Sequence, residues 1–437
     1  MSNLVAPTKP TVELARTLGA VMRACNTESP LQGDDPRFLD LAEGRGDHAT
    51  ERLIRRLRKT ERGELLHAAF VGHRGAGKTT EIQRVLRDVA DLYLPVYIEA
   101  TLEMDSIRIE VEDLLLNIAI AVEAEMRRIG KELPQELLER VEGWFAEKVR
   151  TTRWAHGLGA DVVTGAEGKL AAPFVASLFA QARTLLKYES EYRTEVKQVL
   201  KQYPGTLLQS VNDILDAAHE RLDGRSLLVV IDNLDRYEPT VIDELLVATS
   251  DRIRRLRCCL LLTPPVSLLL QPKSARLDDR YACFDLFTVR LRKPEQRYDE
   301  FDAGAPGRDL LEQALGKRID VGVMIPEKEA RDRLIAASGG AIRELLELTS
   351  LSAEFARGDV ILEADVEKAL AYKKQRMRDQ INVNDWWPAL RDIAETKQVT
   401  ADPRSLNLLF YRFVFKYNGE GWYDIHPLIA ELKELRR

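Results

Sequence analysis

An α/β fold with a parallel sheet is what this 437-residue sequence predicts, and three observations carry the prediction. Short apolar runs alternate with longer stretches whose apolar residues recur at helical spacing. The run Leu227-Leu228-Val229-Val230-Ile231 is continuously apolar, as a strand covered on both faces must be. The run Leu65-Leu66-His67-Ala68-Ala69-Phe70-Val71 opens directly into a glycine-rich turn, and a helical pattern follows from Thr80. Strands joined through helices pair in parallel, so the alternation selects a parallel sheet.

In chain order, residues 1–47 form an N-terminal arm. It mixes a helical stretch, 11–25, with turn-rich Ser29-Pro30 and Gly33-Asp34-Asp35-Pro36. Residues 47–62 read as a charged helix leading into the first strand. Residues 93–100 make the next strand. From about 101 to 223 no further core strand is evident, and segments 109–129, 134–147 and 207–222 carry helical spacing. Between them, residues 157–168 are small and polar enough for a linker. This region, about 101–224, is a helical insertion within a core spanning 48–295. The sheet resumes at 227–231 and continues at 257–263 and 284–291. Helical patterns at 309–318, 327–337, 341–355 and 363–378 then make a small helical unit, 296–380. Residues 381–437 form a last unit, with Trp386-Trp387 and an aromatic, hairpin-like tract.

Composition narrows the function classes. There are 64 basic and 70 acidic residues, a formal net charge of −6, so any nucleic-acid contact must come from a local patch. None of Cys25, Cys258, Cys259 and Cys283 is paired at metal-ligand spacing, and Cys258-Cys259 reads as part of a buried strand. The N-terminus lacks the basic start and apolar stretch of a signal peptide. The longest small-apolar segment, 170–180, contains Pro173 and is too short to span a bilayer. A soluble, cytoplasmic protein without membrane contact is expected.

The turn itself is Gly72-His73-Arg74-Gly75-Ala76-Gly77-Lys78-Thr79, followed by Thr80. It fills every fixed position of GxxxxGK[ST] between a strand and a helix, the context that separates this motif from an ordinary glycine-rich turn. Its glycines let successive backbone N–H groups curl around a phosphate chain, and the helix adds its positive end. Lys78, expected to be exposed in the empty site, would reach the outer phosphates, and the Thr79 hydroxyl would hold Mg²⁺. The motif predicts a site for a nucleoside triphosphate, with ATP and Mg²⁺ as its ligands.

Four further positions fit that chemistry. Asp232 ends the apolar strand, where a carboxylate can coordinate Mg²⁺ beside the phosphate loop. Asp235 follows three residues later and is either a second acid or a helix cap. Thr263 ends the next strand, where its hydroxyl would orient the attacking water or simply enter the turn at Pro264-Pro265. Arg343, one turn into the helix after Gly339-Gly340, would sense a γ-phosphate or lie as a surface arginine.

Together these residues resemble the AAA+ ATPases, most closely the replication-initiator group and the signal-transduction ATPases of the NACHT/AP-ATPase kind. The resemblance covers most of the chain except the insertion and the N-terminal arm, and it implies a helical lid at 296–380. Residues 408–427 resemble the hairpin of a winged-helix module, with 403–410 as its presented helix and Asn418-Gly419-Glu420-Gly421 as the wing turn. The family usually places an acid directly after the Mg²⁺-binding Asp as the base that activates water. Here that position is Asn233, which cannot take a proton. Either Asp235 serves instead, or hydrolysis is slow. The resemblance also implies an arginine finger acting on a neighbouring subunit, for which Arg280 is the first candidate and Arg276 the second. The basic residues of the winged-helix-like unit, Arg404, Arg412 and Lys416, are offset by Asp402, Glu420 and Asp424.

The resulting expectation is an ATP-binding, slowly hydrolysing molecular switch. It would assemble as a homo-oligomer and signal to a separate partner protein, as in bacterial defence or stress responses. The alternatives are a DNA-binding ATPase of the replication-initiator or transposition-targeting type, and a non-catalytic scaffold that binds nucleotide only for stability.

Overall fold

The computed structural model describes residues 13–28, 30–32, 34–105, 107–141, 201–270, 277, 279–418 and 421–436. The expected linker at 157–168, the apolar segment 170–180, residues 142–147 of the expected helical segment 134–147, Arg276, and Gly419 and Glu420 of the expected wing turn lie outside the described residues.

Five strands form one parallel sheet: β1 (His67–Gly72), β2 (Tyr93–Glu99), β3 (Ser226–Asp232), β4 (Cys259–Leu262) and β5 (Ala282–Leu286), in the order β2-β3-β4-β1-β5. Alternate side chains of β3 enter separate cores on the two faces. Leu227, Val229 and Ile231 join one core, and Leu228 and Val230 join the other. That is why the run is apolar without interruption. Helices Val111–Arg128 and Pro204–Glu220 pack together and cover the first face. Helices Ala49–Lys59 and Lys78–Asp88 cover the second.

The last core strand is shorter than the expected 284–291. Beyond Leu286 the backbone leaves the sheet, because other partners take its hydrogen bonds. The Thr288 N–H donates to the Lys416 carbonyl at 3.3 Å, Val289 to Gly340 at 3.3 Å and Arg290 to Gly44 at 2.8 Å. The first described helix is likewise shorter than 11–25, running Leu18–Ala24 with Thr17 as its cap.

Helices Gly307–Gly316, Lys328–Ala337, Ile342–Phe355 and Glu363–Asn384 follow the sheet. Then come helices Trp387–Thr396 and Pro403–Phe410, and the antiparallel hairpin of β6 (Val414–Lys416) and β7 (Tyr423–Ile425). Helix Pro403–Phe410 does not stand clear of the molecule. It buries Ser405, Leu408 and Leu409 and packs on the turn Val266–Leu270 and helix Pro239–Asp243 of the sheet domain. No helix among the described residues is long and apolar enough to cross a membrane.

Candidate nucleotide site

β1 ends at Gly72 and the next helix starts at Lys78, so the intervening turn lies at the C-terminal edge of the sheet. Gly75 and Gly77 sit at φ +84° and +96°, a left-handed backbone that side chains resist. Gly72 is required for a different reason. A Cβ there would lie 2.7 Å from the Leu286 carbonyl oxygen of the neighbouring strand. Arg45 braces the turn from the N-terminal arm. Its buried guanidinium donates to the Ala76 carbonyl at 2.7 Å and to Glu81 at 2.7 Å, and Thr50 donates to the same carboxylate at 3.0 Å.

Lys78 is buried, not exposed as the sequence suggested. Its ammonium donates to the carbonyls of Gly72 (2.7 Å) and His73 (2.9 Å) and pairs with Asp235 at 2.7 Å. An ammonium withdrawn from water needs such partners, and the turn supplies them from its own backbone.

The Asp232 carboxylate is the hub of a second cluster. One oxygen accepts from the Thr79 hydroxyl at 2.7 Å and the Tyr97 hydroxyl at 2.6 Å. The other accepts from the Asn233 N–H at 2.7 Å and the Thr263 hydroxyl at 3.0 Å. Burial and the Asp232 charge push the Tyr97 phenol far above its usual range, so it stays a donor. Asn233 holds φ +64°, and its side-chain amide donates to Glu99 at 2.8 Å. Glu99 ends β2 and stands in register with Asp232 on β3. Thr263 is fully buried beneath Asp232.

Arginines gather around the same cleft, of about 180 Å³. Arg74, Arg236 and Arg343 line it together with Lys78, Thr79 and Thr80. Arg343 rises from the first turn of helix Ile342–Phe355. Its N–H donates to the Gly75 carbonyl at 3.3 Å and its guanidinium to the Thr27 carbonyl at 3.1 Å. Its affinity for its proton is lowered by burial, and Arg412, Arg74 and Arg236 add to this against the opposing Glu347. Arg74 is lowered in the same way, by burial, then Arg412 and Arg236. Cations that mutually repel in a cleft are stabilised by a polyanion.

Arg280 is elsewhere. It donates to the Val247 carbonyl and lies 3.9 Å from Asp251.

The far side of the phosphate loop meets the C-terminal hairpin. His73 is buried, and its Nε2 accepts the Lys416 N–H at 2.8 Å across 343 positions of sequence. The Phe415 ring packs edge-on against the imidazole. Burial, then the charges of Lys78 and Lys416, push the His73 pKa down to about 3, which keeps the ring a neutral acceptor. Lys416 Nζ pairs with Asp285 at 2.8 Å, and Arg292 pairs with Asp424 at 2.7 Å with both side chains buried. The hairpin's flank also ties to the Arg343 helix. The buried Glu344 lies 2.9 Å from Lys373, 3.4 Å from Arg412 and 3.5 Å from His426.

Of the residues singled out from sequence, the structure therefore brings Lys78, Thr79, Asp232, Asp235, Thr263 and Arg343 to one sheet edge. Arg45, Tyr97 and Glu99 belong there too and were missed. Glu99 had a readable signal, because it is an acid at the tip of a strand that could pair with the Asp232 strand.

The parallel sheet, the loop after β1 and the carboxylate ending β3 define the α/β class of P-loop nucleotide-binding folds. No protein-family model matches the chain, and no curated protein matches it in sequence. It is similar to solved structures. A Walker-type ATPase of Pyrococcus abyssi is 14% identical over 95% of this chain and 100% of that one, with a TM-score of 0.46. Cdc6p from Pyrobaculum aerophilum is 12% identical over 91% and 97%, with a TM-score of 0.35. The RuvB Holliday junction branch migration motor of Thermotoga maritima is 13% identical over 86% and 90%, with a TM-score of 0.33.

Proposed function

We propose that this chain is an ATPase switch. It binds ATP at the phosphate loop, hydrolyses it slowly, and passes the state of the site to its C-terminal hairpin. One observation carries the reading. Lys78, Thr79, Arg74 and Arg343 converge on a cleft whose loop is gripped from behind, at His73, by that hairpin.

The residues fit the ligands. Two left-handed glycines let the loop backbone curl as a phosphate cradle requires, and a Cβ at Gly75 would strike the Arg343 side chain at 2.7 Å. The Thr79 hydroxyl and the Asp232 carboxylate, 2.7 Å apart, are the hard oxygen donors that Mg²⁺ takes. When bound, Mg²⁺ would neutralise charge on the outer phosphates. Lys78 would exchange its contact with Asp235 for phosphate oxygens, and Arg343, whose side chain lies against Gly75 of the same loop, would meet the terminal phosphate. Asn233 cannot accept a proton, which supports slow turnover.

A switch needs an element that feels the site. Gly72 and His73 give their carbonyls to Lys78, and His73 also accepts from the hairpin. Movement of Lys78 towards phosphate therefore changes the loop segment that the hairpin holds. The winged-helix-like unit is read here as an internal sensor. Arg404, Arg412 and Lys416 each lie within 4 Å of a carboxylate, and helix Pro403–Phe410 faces inward, so this surface gives DNA binding no support. Homo-oligomer assembly and signalling to a separate partner protein belong to the same reading.

Calorimetric titration with ATP and Mg²⁺ tests the binding step. Saturable, Mg²⁺-strengthened binding that Lys78→Ala abolishes is the expected result. Equal binding by a folded Lys78→Ala protein would overturn it.

A further inference from the structure

We propose that Glu99, at the tip of β2, is the base that takes a proton from the water attacking the terminal phosphate, and that Asn233 positions it. The assignment rests on the ATPase reading above and adds the catalytic group which that reading leaves open.

The carboxylates around the cleft differ in what already occupies their oxygens and in where they stand. Asp232 accepts four hydrogen bonds, two on each oxygen, and has no lone pair left over for a water's proton. Asp235 is buried against the Lys78 ammonium at 2.7 Å, and Glu81 is held by Arg45 and Thr50. Glu28 stands exposed on the N-terminal arm rather than on the sheet edge. Glu99 differs from all four. It is half-buried and lines the cleft beside Lys78, Thr79 and Arg236. One oxygen is fixed by the Asn233 amide at 2.8 Å, and among the described residues no partner is shown for the other.

Register gives the direction. Glu99 is paired with Asp232 across β2 and β3, so the two acids leave the sheet side by side at the edge where the loop sits. The neighbouring strand thus supplies the acid that β3 lacks after Asp232. Asn233 is held at φ +64° by the Asp232 carboxylate accepting its N–H, and this turns its side chain towards Glu99.

The step balances within the chemistry already proposed. A lone pair of the water oxygen forms the new bond to the γ-phosphorus. The bond from that phosphorus to the β–γ bridging oxygen breaks, and its electron pair leaves on ADP. The water's proton passes to the free Glu99 oxygen and returns to phosphate or solvent afterwards.

The test measures ATP affinity and single-turnover hydrolysis in the full chain for the native protein, Glu99→Gln, Asn233→Ala and Asp235→Asn. Glu99→Gln should bind ATP within about threefold of native and lose at least about a hundredfold in turnover, the range that proton transfer contributes. Asn233→Ala, which leaves the base unmoored, should fall between the two with binding unchanged. Glu99→Gln that turns over within about threefold of native overturns the assignment. So does turnover lost on Asp235→Asn and kept on Glu99→Gln, which would move the role to Asp235. If Glu99→Gln fails to bind ATP, Asn233→Ala decides, because a native rate there removes the positioned base. Native turnover that survives Glu99→Gln overturns the Glu99 assignment alone, whereas a native protein that binds ATP without turnover would overturn the hydrolysis step with it and leave the binding step standing. One that binds no ATP would overturn the ATPase reading itself.

Discussion

The two sides of the phosphate loop are built from different materials. On the cleft side, Lys78, Thr79, Asp232 and Asp235 satisfy one another through hydrogen bonds of 2.7 Å between groups that a nucleotide can recruit. On the back, His73 is sealed between Phe415 and the Lys416 N–H, and the contact is aromatic, neutral and dry. The first side stores charge that is already paired and exchangeable. The second joins a neutral ring to a backbone N–H and an aromatic edge, so it responds by moving rather than by exchanging charge. In the proposed switch, that contrast assigns the ligand's action to the cleft side and its readout to the back.

The cleft side should break most severely. Lys78→Ala should weaken ATP binding at least about a hundredfold, which is about 3 kcal/mol. It should also destabilise the empty protein, because Asp235 is then left buried without its counter-charge, a loss of about 3–5 kcal/mol. Adding Asp235→Asn should restore most of that stability and none of the binding. Denaturant unfolding of the single and double variants checks this, and equal stability of the two would refute the buried pair.

On the back, Phe415→Ala should cost about 3–5 kcal/mol, since the ring is fully buried against His73, Tyr417 and His426. The same unfolding measurement applies, and a loss below about 1 kcal/mol would mean that the hairpin is not seated as described.

Acid should separate the two sides further. His73 titrates at about 3 in the folded chain against an ordinary 6.5. Between those values the unfolded chain binds a proton that the native one refuses, so stability falls as pH falls. The slope approaches about 1.4 kcal/mol per pH unit for this one group. Lowered values for His426, by burial, and for Glu344, whose partners His426, Lys373 and Arg412 outweigh its burial, act in the same direction. Thermal midpoints from pH 7 to 4.5 should drop, and His73→Gln should shallow the drop; a flat profile would contradict the buried neutral ring. The smallest effect is expected at the rim. Asp285→Asn should cost about 1 kcal/mol or less, because its Lys416 partner keeps the Phe287 ring beside it and the pair is partly wet.

Much of the cleft side was legible in the sequence because its signals are local. A strand, a glycine turn and a lysine lie within a dozen residues, and Asp232 announces itself at the end of an uninterrupted apolar run. The parallel sheet followed from the same alternation. What was not legible depends on pairing between distant segments. Arg45 sits in a turn-rich arm with no periodic pattern, yet the fold presses it beneath Ala76. Glu99 became interesting only once β2 was known to lie beside β3. Leu408 and Leu409 read equally well as the core of a free-standing unit and as a docking face. Only the tertiary contact with the turn Val266–Leu270 distinguishes them. The break of the last strand at Leu286 has the same origin, since Thr288 to Arg290 are recruited by partners more than forty residues away in sequence.

The claim that joins the two sides is that nucleotide at Lys78 is felt at Lys416. Amide hydrogen exchange of Lys416 and Tyr417, with and without saturating ATP and Mg²⁺, measures it directly. Exchange at these amides should change on adding ATP in the native protein and should not change in Lys78→Ala. Unchanged exchange at the hairpin of a protein that calorimetry shows to be saturated with ATP would contradict the switch.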